Sequence, residues 1–438
     1  LSPHPHRPAP PLLGQALFVL GLSIGLFVAL VVDRTARTFL DRDMELVRAV
    51  RDMAREEFVG EIAGDQLVDD ALRGMLNGLD RYSTYYGASE VAELDRETSG
   101  EFLGLGVIFR AGEQGRILFA YPDSPADRAG LEVGDLIEKV DGRTVAGMEP
   151  DQLQEALHRD AALRLDVVDL AGDPRQVVVE PAVVLDPTVR QARILAGRPE
   201  LGYLAIRSFS HRTPGEFDQA VQELTKQGMQ ALVLDLRGNP GGILDAAITI
   251  ANRFIDAGAI VSTRTRTELV TTEARREEAT LAGLPLVVLQ DGRSASASEV
   301  LAAALQDHGA AVIVGEPSYG KGTVQTLKRV KGRDAVVKIT TATYYSPSMR
   351  RIEHDDEDAS RGGIAPDLFL PIEDRERWEI YGFLSAYSPP ETARPALAAW
   401  EAAQGITLIG PPPADRQLEA AVALFSDEDL DLGVEPLR

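Results

Sequence analysis

The sequence predicts a multidomain α/β protein: an N-terminal helical arm, a small β-barrel domain, and an α/β core of strand–helix units. Three observations predict this. At 438 residues the chain exceeds what one core accommodates and implies two or three domains. Its 44% hydrophobic and 26% charged content is that of a folded globular protein. The hydrophobic period also changes along the chain, from helical (38–98) to short strands (99–185) to alternating strands and helices (187–372).

Taken in order, Leu12–Val32 comes first. Its 21 uncharged residues would make a helix of ~31 Å, enough to cross a bilayer core. Arg7 precedes it and Asp33, Arg34 and Arg37 follow, so flanking charge sets no orientation. The run is long for a signal peptide and no small-x-small site closes it, so an uncleaved anchor is expected, ahead of a cleaved signal. In the arm, Leu46, Val47, Val50, Met53 and Ala54, then Leu72, Met75, Leu76 and Leu79, recur at helical spacing, and Asp80–Tyr86 reads as a loop. Next, Leu105, Val107 and Phe109 alternate along a strand, Gly115–Ala120 supplies another, and Asp141–Gly142 marks a tight turn. A short helix over Asp151–His158 and strands over Leu163–Val168 and Gln176–Val179 complete the barrel. In the core, strands are expected at Leu201–Ile206, Ala231–Leu236, Pro285–Gln290, Ala311–Val314 and Ala335–Tyr345. Helices are expected at Thr213–Lys226, Ile243–Ala257 and Ser298–Asp307. Residues 373–438 read as helices divided by prolines, with no motif to give them a task.

Composition removes several functions. A net charge of −23 argues against a nucleic-acid surface, which needs clustered Lys and Arg. Zero cysteines exclude disulfides, thiolate metal sites and cysteine nucleophiles. The six histidines form no HExxH or comparable cluster, so neither a metal nor another cofactor is expected. His211 and His308 stay open as partners for a serine.

The chemistry concentrates in two segments. In Arg293–Glu299, RSASASE, Ser296 stands at a strand-to-helix turn. Ser296-x-x-Glu299 reads equally as a capping box, in which serine and glutamate satisfy backbone donors. A helix N-terminus is also where free amides stabilise a developing oxyanion, so the two readings compete for the hydroxyl. In Ser318–Gln325, SYGKGTVQ, Lys321 lies 25 residues beyond Ser296 on a segment read as a strand, with Thr323 and Gln325 on the same face. A desolvated lysine can serve as a base, and a glutamine can orient it without adding charge. Gly315-x4-Gly320-Lys321 imitates a phosphate-binding loop, but Gly322 replaces the Ser/Thr and a strand follows where a helix is required. Asp235–Leu244, DLRGNPGGIL, offers a second site where glycines turn amides toward an anion at a helix start, with Asp235 and Arg237 read as a structural pair. Upstream, Gly104–Val107, GLGV, either converges amides on a carboxylate beside a strand edge or merely permits a bulge.

In this order, SPADRAGLEVGDLI, DLRGNPGG, SASASE, GEPSYGKGTVQ and TYYSPS resemble the carboxyl-terminal processing, or tail-specific, serine proteases, over roughly Asp80 to Leu370. The barrel resembles a PDZ domain. The resemblance implies Ser296 as nucleophile, Lys321 as general base, Gln325 orienting the lysine, and the Gly242 and Ala297 amides as oxyanion hole. It makes Asp307 a structural support and gives capture of a substrate's C-terminal carboxylate to Gly104, Leu105, Gly106 and Val107. The sequence departs from the family at TYYSPSMRRI and the following EHDDED. The expectation is a serine endopeptidase acting on proteins or peptides with exposed C-termini, anchored on the extracytoplasmic side of the cytoplasmic membrane, or secreted if 12–32 is cleaved. A homo-oligomer is compatible with it. The alternative is a catalytically inactive PDZ scaffold on a protease fold.

Overall fold

In a computed structural model, the described residues are 42–62, 66–110, 112–157, 161–354, 362–386, 389–390, 392–408 and 410–426. The 12–32 segment lies outside them. Among the described residues no helix is long and apolar enough to cross a membrane. The chain divides into two units, Leu1–Arg81 and Tyr82–Arg438. The first contains helices α1 (42–57) and α2 (Gln66–Asn77). The second, Tyr82–Arg438, is the larger.

This unit opens with β1 (Thr84–Tyr86) and α3 (Ala88–Ser99). The sequence pattern predicts a loop over Asp80–Tyr86. Instead Thr84–Tyr86 pairs antiparallel with a core strand and buries Tyr85. Three residues are too few to show alternation.

The small domain follows with β2 (Glu101–Gly104), β3 (Val107–Phe109), β4 (Ile117–Ala120), α4 (Pro125–Arg128), β5 (Leu136–Val140), β6 (Arg143–Thr144), α5 (Pro150–Leu157), β7 (Leu163–Val168), β8 (Pro174–Val179) and β9 (Ala182–Leu185). Its strands pair as β2–β9, β3–β4 and β6–β5–β7–β8 around a core of Ile117, Ile137, Leu163 and Leu165. Leu105 is not on a strand: it is buried in this core, between β2 and β3.

The core domain comprises β10 (Val189–Leu195), β11 (Arg198–Ile206), α6 (Thr213–Lys226), β12 (Ala231–Asp235), α7 (Leu244–Phe254), β13 (Ala259–Arg264), β14 (Leu269–Glu273), β15 (Leu286–Gln290), α8 (Ala297–Asp307), β16 (Val312–Gly315), β17 (Thr323–Arg329), β18 (Val336–Tyr345) and β19 (Leu368–Phe369). Its main sheet runs β10–β11–β12–β15–β16–β19, parallel except for β10. Every residue of β12 (ALVLD) and β15 (LVVLQ) is buried, as expected of parallel strands covered on both faces. A second sheet joins β1, β18, β13 and β14, with β17 on β18. The β13–β14 hairpin escaped the sequence reading because β14 is largely exposed and shows no strong apolar alternation.

Helices α9 (Asp374–Ser385), α10 (Arg394–Gln404) and α11 (Arg416–Ala423) end the described chain. Ile380 and Leu384 of α9 and Ala421 of α11 cover one face of the main sheet with Val233, Val287 and Leu289. Leu397 and Trp400 of α10 pack instead on Phe119 of the small domain. The helical tail thus touches both domains.

Candidate active site

The loops after β11, β12, β15 and β16 leave the carboxyl ends of parallel strands, where open α/β sheets place their ligands. Buried Asn239, in the loop after β12, ties three of them together. Its Nδ2 donates to the Ile206 carbonyl at 2.8 Å, its Oδ1 accepts the Gly241 amide at 2.9 Å, and its carbonyl accepts the Ala295 amide and the Ser298 hydroxyl. Ser294 Oγ adds a bond to the Leu236 carbonyl at 2.8 Å. Sequence reasoning missed Asn239, whose partners all lie on other loops or one turn away.

Ser296 caps α8 with φ 58° and ψ −114°, a conformation rare for a residue with a side chain. Strain of this kind costs on the order of 1–3 kcal/mol and concentrates at functional sites. Its neighbour is a glycine by necessity. A Cβ on Gly241 would stand 2.8 Å from Ser296 Cβ and 2.7 Å from the Ala295 carbonyl. Burial pushes the nearby Tyr344 phenol up to about 12, against a smaller opposing pull from Ser296.

Two amides flank the serine unspent. The bridge between Phe209 and the loop uses the Gly241 carbonyl and the Ile243 amide, which leaves the Gly242 N–H without an acceptor among the described residues. At the start of α8, the amides of Ser296, Ser298, Glu299 and Val300 all have acceptors, and that of Ala297 has none among the described residues. Two unspent donors flanking one serine can receive a developing negative charge.

The capping-box pair is present, and Glu299 does far more than cap. Its Oε2 accepts the Ser296 amide at 2.7 Å and the Lys321 amide at 2.8 Å, while Oε1 accepts the Ser318 hydroxyl and the Gly320 amide, each at 2.6 Å. One buried carboxylate oxygen therefore joins the Ser296 and Lys321 backbones. Burial raises the Glu299 pKa against the opposing pull of these donors, Ser318 foremost. Lys321 itself precedes β17 by two residues, so it is a loop residue and not a strand residue as read from sequence. Its ammonium stands 4.8 Å from the Tyr82 ring centre. Gln325, on β17, donates from Nε2 to the Thr323 and Thr340 hydroxyls at 3.0 and 3.3 Å. Because Gly320–Lys321 leads into a strand, the phosphate-loop reading fails.

Neither open histidine belongs here. His308 caps the far end of α8, ~16 Å along the helix, and holds the Ala259 carbonyl, while His211 sits in the exposed turn before α6. Asp307 supports the departing TYYSPSMRR segment. It accepts the Ser348 amide at 2.8 Å and pairs with Arg350; burial raises its pKa, but the bonds from Ser346 and Ser348 with Arg350's charge prevail and lower it.

In the small domain, Gly104, Gly106, Val107, Phe109, Leu153 and Leu157 line a cavity of about 960 Å³ between the 104–109 segment and α5. The Leu105 and Gly106 amides have no acceptor among the described residues. Gly106 has φ 75°, and a Cβ there would meet Ser124 Cβ at 2.4 Å.

Two domains, one with a strained serine beside free amides and one with a glycine loop over a groove, invite comparison with known proteins. The model of peptidase family S41 matches residues 200–369, and that of a PDZ domain matches 117–169. The carboxy-terminal-processing protease of Bartonella bacilliformis is 32% identical over 337 residues, which cover 75% of each chain. This chain belongs to peptidase family S41. The carboxy-terminal processing protease CtpA of Bacillus subtilis is similar too, 30% identical over 76% of this chain and 70% of its own. The photosystem II D1 C-terminal processing protease, a solved structure, is 29% identical over 74% of this chain and 86% of its own, with a TM-score of 0.44, too loose a superposition to add to the sequence match. The S41 chain is thus a carboxy-terminal-processing serine peptidase carrying a PDZ domain, not a bare scaffold.

Proposed function

We propose that this peptidase cleaves peptide bonds with Ser296 as nucleophile and Lys321 as its base, on substrates selected by their C-terminal tails. One observation carries the pairing: the Ser296 and Lys321 amides share a single Glu299 oxygen, which makes neighbours of segments distant in sequence. Lys321 takes the Ser296 proton as the hydroxyl attacks the carbonyl carbon. The tetrahedral oxyanion lies against the Gly242 and Ala297 amides, the amine product leaves with a proton from Lys321, and water resolves the acyl-enzyme. Gln325 has its amide nitrogen committed to two threonines, so its oxygen is the end free to accept from the lysine. The Gly104–Val107 loop receives the substrate's terminal carboxylate, and the groove beside it the apolar tail.

We also propose that 12–32 holds the chain in the cytoplasmic membrane, on the length of that uncharged run, with the extracytoplasmic side taken from the family resemblance and not from the run itself. Extraction of membranes with alkaline carbonate tests this: release of the full chain into the supernatant rejects the anchor.

For the chemistry, wild type and Ser296→Ala are incubated with candidate proteins and the products read by mass spectrometry. Turnover should fall about 10⁴-fold or more while tail-peptide binding survives. Cleavage by the purified Ser296→Ala protein at the wild-type rate rejects the assignment.

A further inference from the structure

The helical segment from 373 onward, which carries no sequence motif, reaches the loop that bears Gly242. Arg237, at the entry of that loop, has a fully buried guanidinium held by two forks. Asp235 grips it from one side, with Nη2–Oδ2 at 2.5 Å, and Asp415 from the other, at 2.9 and 2.6 Å. Gln417 Oε1 adds a bond at 3.1 Å and is itself fixed through Nε2 to the Leu370 carbonyl. Asp415 is in turn the N-cap of α11, accepting the Leu418 amide. A second post stands beside this one. The Tyr381 hydroxyl of α9 donates to Asp291, whose other oxygen accepts the amide of Gly238, the next loop residue.

We propose that Asp415 and Gln417, with Tyr381, are positioning residues that hold the entry of the 237–242 turn so that the Gly242 amide faces the oxyanion. Three things favour positioning over bulk stability. A buried ion pair is weak evidence of stabilisation, because desolvation offsets its attraction, and in some proteins such pairs serve to fix geometry instead. Both posts bind residues 237 and 238, whereas the exit of the same turn is fastened separately, to Phe209. And Arg237 already has a fork partner in Asp235, so the second carboxylate is not needed to neutralise it. None of these three residues touches substrate; they act through Arg237 and Asp291.

The inference rests on Ser296 being the nucleophile, so the experiment separates the two. Steady-state kinetics on a fluorogenic peptide with an apolar C-terminal tail are run beside inhibition by a peptidyl boronic acid, which occupies the oxyanion site as a tetrahedral adduct. Asp415→Ala should lose about 10²-fold in kcat with KM unchanged within twofold, the size of effect expected from displacing one oxyanion donor. Boronate affinity should fall by the same factor. Asp415→Asn, which keeps the α11 cap and one acceptor, should recover most of the loss. Tyr381→Phe removes only a hydroxyl and should cost about tenfold in kcat. If Asp415→Ala does not fold, Tyr381→Phe decides alone. Variants that melt at lower temperature but retain wild-type kcat and boronate affinity overturn the proposal while leaving the Ser296 assignment intact. Full activity of Ser296→Ala overturns both.

Discussion

On the roles proposed above, two glycine turns in this peptidase offer backbone amides to an anion, and they are built to different tolerances. The turn at 238–242 is fastened through Asn239, Arg237, Asp291 and Phe209, with several of those side chains wholly buried. The turn at 104–107 is tied mainly by backbone, with the Leu105 and Gly106 carbonyls accepting from Ala126 and Tyr121. The contrast is what the proposed anions would require. An oxyanion exists only at the transition state, and its donors lower the barrier only if they stand ready beforehand. A tail carboxylate is a ground-state ligand that can settle into a looser cradle. On that reading, rigidity is concentrated where the charge is transient.

The largest blow to this contrast should come from Gly241→Ala. Its Cβ would press on Ser296 and the Ala295 carbonyl, so kcat on a tailed peptide should fall at least 10²-fold with tail-peptide affinity unaltered. Stopped-flow acylation and a peptide titration read the two halves; an equal loss in both would erase the distinction between the turns. Gly106→Ala should give the reverse pattern. Displacement of the loop by Ser124 should raise KM for tailed peptides about tenfold, or ~1.4 kcal/mol of binding, and leave kcat alone. A drop in kcat instead would mean that the small domain does more than hold tails. The smallest effect belongs to Asp307→Asn, which touches neither turn. The Asp307 pKa is lowered in the folded protein, so its stabilisation is present above the ordinary value of about 3.8 and is lost as pH falls through the lower folded value. Denaturant titrations should show the wild type ahead near neutral pH, by no more than about 1 kcal/mol because the Arg350 partner is partly exposed, and level with the variant in strong acid. A gap that widens in acid would reverse the sign and remove Asp307 as a support.

The residues on which these experiments act were unequally legible in the sequence. Ser296, Lys321 and the glycines of both turns stand in short motifs whose local readings stay open, cap against nucleophile and anion nest against bulge, and only the order of the motifs along the chain carries the resemblance that assigns their roles. The apolar runs of β12 and β15 likewise announce buried parallel strands. What escaped is contact between loops. Glu299 was readable as a cap because its partner is three residues away, but its bonds to Ser318, Gly320 and Lys321 depend on how the ends of β15 and β16 align. Asn239 was invisible for the same reason, and Lys321 was placed on a strand that begins two residues later. The helical tail had no motif because its contribution is single side chains, Asp415, Gln417 and Tyr381, delivered by ordinary amphipathic helices.

Order along the chain gives that tail a temporal meaning. A polypeptide emerging from its N-terminus displays the serine and the lysine first, then must add β17, β18, β19, α9 and α10 before Asp415 arrives to close on Arg237. Through that interval the second fork around the guanidinium is missing. On the proposed role of Asp415, a hydrolase assembled in this sequence completes its oxyanion turn only after the serine and lysine are in place, and the young chain is spared its own chemistry until α11 docks.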